Sequence, residues 1–128
     1  MIENTGATHI LDNEALFTLA GESTDLEALN TIAAKAYAGA TAPFRFGGDL
    51  ISDPEKLKAA LISDPRKHFL SIGHSPLDGG DYNVADLTAK IFDASNTLTH
   101  GDPKNGKYLS AAAIFRGATP QEEIDENL

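Results

Sequence analysis

A chain of 128 residues with 41% hydrophobic content can bury one core without staples, and the lack of cysteine removes disulfides, thiolate metal sites and a cysteine nucleophile. The formal charge of −9 opposes phosphate backbones and anionic lipid surfaces, so neither nucleic acid nor a membrane is an expected partner. No apolar run nears the roughly 20 residues that span a bilayer and MIENTGATHIL is not a secretory signal, so a soluble intracellular chain is expected.

Ala7 to Leu11 reads as a short strand. It leads into a helix that Asp12 can cap, with Glu14 in its first turn, an apolar side of Leu16, Phe17 and Leu19, and Gly21 at its end. Thr24 to Ala42 is the stretch around which the chain is organised. Leu26, Leu29, Ala33, Ala36, Tyr37 and Ala40 recur at helical spacing, and Ala28, Ile32, Ala34 and Ala38 lie between them where a charged stripe would otherwise stand. A long central helix buried on more than one side is the prediction. Thr24 and Glu27 form a capping box at its start, Pro43 disfavours helix at Ala42, and Gly47-Gly48 permit a reversal. Gly39 inside the helix costs roughly 1 kcal/mol relative to Ala, which close packing explains better than a ligand.

Asp53 and Pro54 open the next helix, with Leu57, Ala60 and Leu61 inward and Asp64-Pro65 as the stop. Lys67 to Ile72 reads as a strand, followed by a loop from Gly73 through His74 to Tyr82. Asn83 with Asp86 starts a helix whose inward residues are Val84, Leu87, Ile91 and Phe92. Gly101 to Gly106 is dense turn chemistry. Lys107 to Arg116, apolar on both faces, reads as a covered strand, and Thr119 to Glu122 is a second capping-box start for a short acidic helix. The fold class is α/β (α+β): one domain over residues 1–128, with a small sheet packed against the long central helix.

Candidate chemistry is sparse. His9, His68, His74 and His100 lie far apart without two-ligand helical spacing, so they read as surface or strand histidines and no metal is expected. Asp78-Gly79-Gly80-Asp81 lacks the ligand spacing of a calcium loop and reads as a tight turn. Asp53 with Glu55 has the composition of an acid/base pair, yet Asp-Pro-Glu at a helix start is what capping and the helix dipole favour. Walker, dinucleotide and GxSxG motifs are missing from these residues, so no catalytic residue and no cofactor is assigned.

Several stretches together resemble tubulin. They are Asp12 to Phe17, Leu29-Asn30, Phe44 to Leu50 with Asp53, Pro65 to Phe69, and Phe92-Asp93-Ala94 followed by Asp102 to Leu109 and Ala112 to Gly117. The last is the most specific, close to the β-tubulin and bacterial-tubulin pattern. Their order and spacing agree over nearly the whole chain, which implies a tubulin intermediate domain. The family's phosphate-binding signature and nucleotide-binding domain are missing from these residues, and the loop from His74 to Tyr82 is shorter than the family's lateral-contact loop. This trimming points to an engineered or redesigned fragment handled as a soluble recombinant protein; a natural relative would be cytoplasmic.

Carried over by position, Asn13 and Asn30 match the two asparagines that bind the guanine base, with Leu26 where an aromatic usually stacks. Asp53 matches the acid that completes a neighbour's GTPase site, but Lys56 makes the chain β-like and Ile51 replaces an asparagine, so GTPase activity is not expected. The colchicine-class site of β-type tubulins maps to Pro43, Phe44, Leu50, Ser52, Asp53, Lys56, Leu57, Ala60, Leu61, Ser110, Ala112 and Ile114. Small residues at Ala60, Ser110 and Ala112 leave room beside apolar walls, as a pocket requires, although Phe44 can fill that space. The taxane-class site looks dismantled, with Thr31, Lys35 and His74 at its positions.

The leading expectation is therefore a non-enzymatic cytoskeletal domain that takes a tubulin-directed small molecule. The alternatives are an interaction module whose exposed surfaces bind a partner or self-associate, a homodimer through an exposed sheet edge included, and a small acid/base enzyme using Asp53 or Glu55.

Overall fold

Short polar side chains set where most of the helices begin. In the computed structural model, which describes residues 1–21, 25–48, 53–77 and 80–128, Asp12 precedes α1 (Asn13–Leu19) and its carboxylate accepts the Glu14 backbone N–H at 3.0 Å. Asp25 does the same for α2 (Leu26–Arg45) by accepting from Glu27 at 3.1 Å. Asp53 opens α3 (Pro54–Leu61) by accepting from Glu55, and Asn83 opens α4 (Val84–Ile91) by accepting from Asp86. Each cap satisfies one of the orphan donors of a helix start. Asp25 thus takes the role expected of Thr24, which lies outside the described residues, as do Asp78 and Gly79 of the predicted tight turn.

Pro43 does not end α2. Its missing N–H removes one rung of the ladder, but the helix continues to Arg45 and the Phe46 N–H closes on the Ala42 carbonyl at 3.0 Å. Arg45 folds back along the same turns, donating through Nη2 to the Ala38 carbonyl at 2.7 Å and through Nε to Thr41 Oγ1 at 3.2 Å. The burial of α2 also differs from expectation. Leu29, Ala36 and Ala42 are buried while Leu26 is 63% exposed, so the helix buries a stripe along one side.

That stripe faces α1 and a crossing segment. Leu16, Leu29, Ala36 and Leu98 form the core, with Phe17, Leu19, Ile32 and Ile72 packed around them. The sheet is two parallel strands, β1 (Thr8–Ile10) and β2 (Phe69–Ser71), in the register Thr8 to Phe69, His9 to Leu70 and Ile10 to Ser71. Leu98 is fully buried and joins both strand ends. Its N–H donates to Ile72 at 2.9 Å, and its carbonyl accepts from the Asp12 N–H at 2.9 Å. Thr99 adds a side-chain bond to the Ile10 carbonyl, and Thr97 bridges to Gly73.

Lys107 to Arg116 is not a strand here. Among the described residues the sheet has two strands only, and this segment runs without backbone pairing, with Tyr108 57% and Leu109 80% exposed. The sequence pattern required covering layers on two faces, whereas the hydrogen bonds at the strand ends go to Leu98 and its neighbours. The last helix, α5 (Gln121–Asn127), starts one residue later than the expected box and is preceded by Pro120 with no side-chain cap. Thr119 is therefore out of place to serve it.

Candidate functional site

α3 carries Lys56, Leu57, Ala60 and Leu61 of the positions assigned to a ligand pocket. Asp53 is engaged as its cap, Lys56 and Ala60 are exposed, and Leu57 and Leu61 are half-buried. Ala60 is thus not part of an inward face, and no residue of α3 is fully buried. The Leu61 carbonyl belongs to the last turn, where helical partners run out, and the Ser110 hydroxyl donates to it. That bond ties Ser110 to the end of α3. Ala112 is exposed and Ile114 is 40% exposed, while Pro43 and Phe44 sit half-buried in the last turn of α2. Leu50 and Ser52 lie outside the described residues. The surface joining Leu57, Leu61 and Ser110 is consequently open to solvent.

Two hollows lie elsewhere. One of about 270 Å³ sits between the N-terminal segment and α3, lined by Thr5, Gly6, Glu55, Lys58, Ala59, Ile62 and Pro65. A second, of about 340 Å³, lies between α1 and the stretch from Ala94 to Asp102. Neither is lined by the assigned pocket residues.

The asparagines matched to base recognition stand on neighbouring helices. Asn13 is the first residue of α1, Asn30 lies in α2, α1 touches α2, and both side chains are exposed. Asp53 and Glu55 each have a structural task, the first as a cap and the second in an exposed ion pair of 3.7 Å with Lys58. Among the described residues, no three histidine, aspartate or glutamate side chains converge as a metal site would need.

His74 and Gly39 meet, which supplies the neighbour that the helical glycine called for. A Cβ at Gly39 would stand 3.4 Å from the imidazole. Burial, and then the charge of Lys35 one turn away on α2, hold the His74 pKa below its ordinary value. Burial alone lowers that of His9, whose ring meets Tyr37 edge-on at 5.8 Å. His68, read from sequence as an ordinary histidine, is fully buried. Its Nδ1 bonds the Pro65 carbonyl, its Nε2 lies 3.3 Å from Thr5 Oγ1, and its ring stacks on Phe69. Nothing in the spacing around it signalled that role.

Comparison with known proteins adds a family to this geometry. Residues 65–128 match the tubulin C-terminal domain. The whole chain aligns with the tubulin beta chain of Enteroctopus dofleini at 37% identity and with that of Candida albicans at 34%, in each case over 31% of the relative's length. The tubulin beta chain of Pyropia yezoensis is also 37% identical and is covered over 30% of its length. The chain therefore spans about a third of the length of the curated relatives it matches. These alignments run to 139 positions for 128 residues, so the relatives are longer within the matched region.

Proposed function

The chain belongs to the tubulin family, and from that premise we propose that it acts as a non-enzymatic tubulin domain of the cytoplasmic cytoskeleton whose α3 surface takes a colchicine-class small molecule. The observation that supports this reading is the Ser110 to Leu61 bond, which ties Ser110 to the end of the helix that supplies Lys56, Leu57 and Leu61. Apolar walls with a few polar groups at the rim are the composition a drug-sized ligand needs. Ala112 and Ile114 are exposed, so a ligand would cover them on binding. The experiment is fluorescence titration of colchicine against the chain and against Ala112→Trp, with circular dichroism to confirm the fold. We expect micromolar-range binding to be lost in the folded variant; unchanged affinity would overturn the assignment.

On its own, the 128-residue chain is expected neither to bind GTP tightly nor to hydrolyse it. Two exposed amides at Asn13 and Asn30 can meet a base, but these residues include no glycine-rich phosphate loop for the most charged part of the nucleotide. Calorimetry that measured micromolar GTP affinity would reverse that expectation.

The second reading is an interaction module. A two-stranded parallel sheet retains exposed edges, and strand addition by a second copy would pair them.

A further inference from the structure

Asn105 is followed by Gly106, the one place in this sequence where a glycine follows an asparagine. A backbone nitrogen next to a carboxamide is a latent nucleophile, and it is freest when the residue that carries it has no side chain. Both residues are exposed, and a Cβ at Gly106 would find its nearest neighbour, the Pro103 carbonyl oxygen, at 3.8 Å. The pair closes a single 3-10 turn, Pro103–Asn105, that Asp102 caps. One oxygen of the Asp102 carboxylate accepts the Lys104 N–H at 3.0 Å, and the other accepts from Asn105 Nδ2 at 3.3 Å. The Gly106 N–H donates to the Pro103 carbonyl at 3.2 Å. The attacking nitrogen and its target carboxamide are thus each tied to the turn and not to each other. These ties lie at the surface, in a tight turn whose hydrogen bonds are poorly aligned, so they open locally without unfolding the core.

We propose that Asn105 is a site of spontaneous deamidation and that the turn capped by Asp102 is the latch that sets its rate. When the turn opens, the Gly106 backbone nitrogen gives its proton to solvent base and attacks Asn105 Cγ. The new N–Cγ bond closes a succinimide ring, and the Cγ–Nδ2 bond breaks as the side-chain nitrogen takes a proton from water and leaves as ammonia. Water then opens the ring at either carbonyl carbon, which leaves aspartate or isoaspartate at position 105. Nothing is oxidised or reduced. Either product adds a negative charge opposite the Asp102 oxygen that Asn105 Nδ2 now meets, and like charges at that distance repel. Isoaspartate also lengthens the main chain of the turn by one carbon. The modified turn therefore loses its lock, and Lys104, which reaches Asp93 at 3.9 Å, loses the backbone that aims it. The change runs one way and uses neither the sheet edge nor the α3 surface.

The test is timed incubation of the intact chain at mildly alkaline pH in water labelled with heavy oxygen, followed by tandem mass spectrometry of its peptides. We expect Asn105 to convert faster than every other asparagine of the chain, to a mixture of aspartate and isoaspartate that carries the label. Gly106→Ala, which the open surroundings tolerate, should slow conversion by at least roughly tenfold. Asp102→Ala should speed it roughly fivefold, the factor by which losing a typical cap raises an opened population. Asp102→Asn, which keeps the acceptor and drops the charge, should stay near the wild-type rate. Circular dichroism of each variant confirms the fold, and hydrogen exchange at the Lys104 and Gly106 amides should rise once position 105 is converted. An Asn105 that outlasts the other asparagines, aspartate formed without isoaspartate, or a Gly106→Ala chain that converts at the wild-type rate would each overturn the site. An Asp102→Ala chain no faster than wild type would overturn the latch, as would Asp102→Asn speeding conversion equally. Exchange that stays unchanged after conversion would overturn the loss of the lock.

Discussion

The stretch up to Thr99 and the stretch after it are built differently. Every buried residue among those described lies between Ala15 and Leu98, and none lies from His100 to Leu128. Yet the match to the tubulin C-terminal domain, residues 65–128, runs through both stretches to the end of the second. Family signature and burial are therefore separate properties here. The first region is held by a core that closes on a crossing segment, the second by surface contacts: a side-chain bond to α3, the ring contact of Tyr108 with Phe92, the ion pair of Lys104 with Asp93, Arg116 over the Phe46 ring, and α5 resting on α4.

The sharpest way to break this contrast is to remove a leucine from each region. Leu98→Ala deletes a fully buried side chain and should destabilise the protein by about 2–5 kcal/mol, whereas Leu109→Ala, at an 80% exposed position, should stay within about 0.5 kcal/mol. Urea unfolding of both variants checks this, and equal losses would mean that the regions share one core. Glycine substitutions give a smaller separation. A Cβ at Gly73 would come within 2.5 Å of the Ile91 carbonyl, whereas at Gly106 the nearest atom is 3.8 Å away. Gly73→Ala should lower stability by about 1–3 kcal/mol, and Gly106→Ala should leave the midpoint nearly unchanged.

The mildest effect is a pH dependence confined to the first region. His74 and His9 have folded pKa values below the ordinary 6.5, so the unfolded chain binds more protons in the interval below that value. The stability they contribute is fully present above pH 6.5 and is lost as pH falls through the folded values. The denaturation midpoint should therefore drop on acidification from pH 7, and His74→Gln should flatten the slope. An unchanged slope would place the pH response elsewhere.

What could be read from the sequence was local chemistry. Asp12, Asp53 and Asn83 were recognisable as caps because a short acceptor before an acidic first turn has one common use. Both strands were recognisable within a residue or two of their ends. Pro43 misled because the rule for proline describes one lost bond, while the ladder continues beyond it, with the Phe46 N–H on the Ala42 carbonyl. Lys107 to Arg116 misled because an apolar run marks only a demand for cover, and the hydrogen bonds at the strand ends were taken by Leu98. Leu98 sits among Thr97, Thr99 and His100, a polar stretch without periodicity, so its burial could not be read locally. Of the candidate site, the cap role of Asp53 was legible. The link from Ser110 to Leu61 depends on a tertiary contact that no spacing encodes.

The position of Leu98 also sets an order of assembly. β1 precedes its partner β2 by roughly half of these residues, and the atoms that tie both strands to α1 arrive only with Leu98. Contacts of such long range are slow to form because the intervening loop must first be closed. Residues 1–10 should consequently stay open to proteases in a chain that stops short of Leu98. They should become protected abruptly once it is present, whatever the state of the residues that follow.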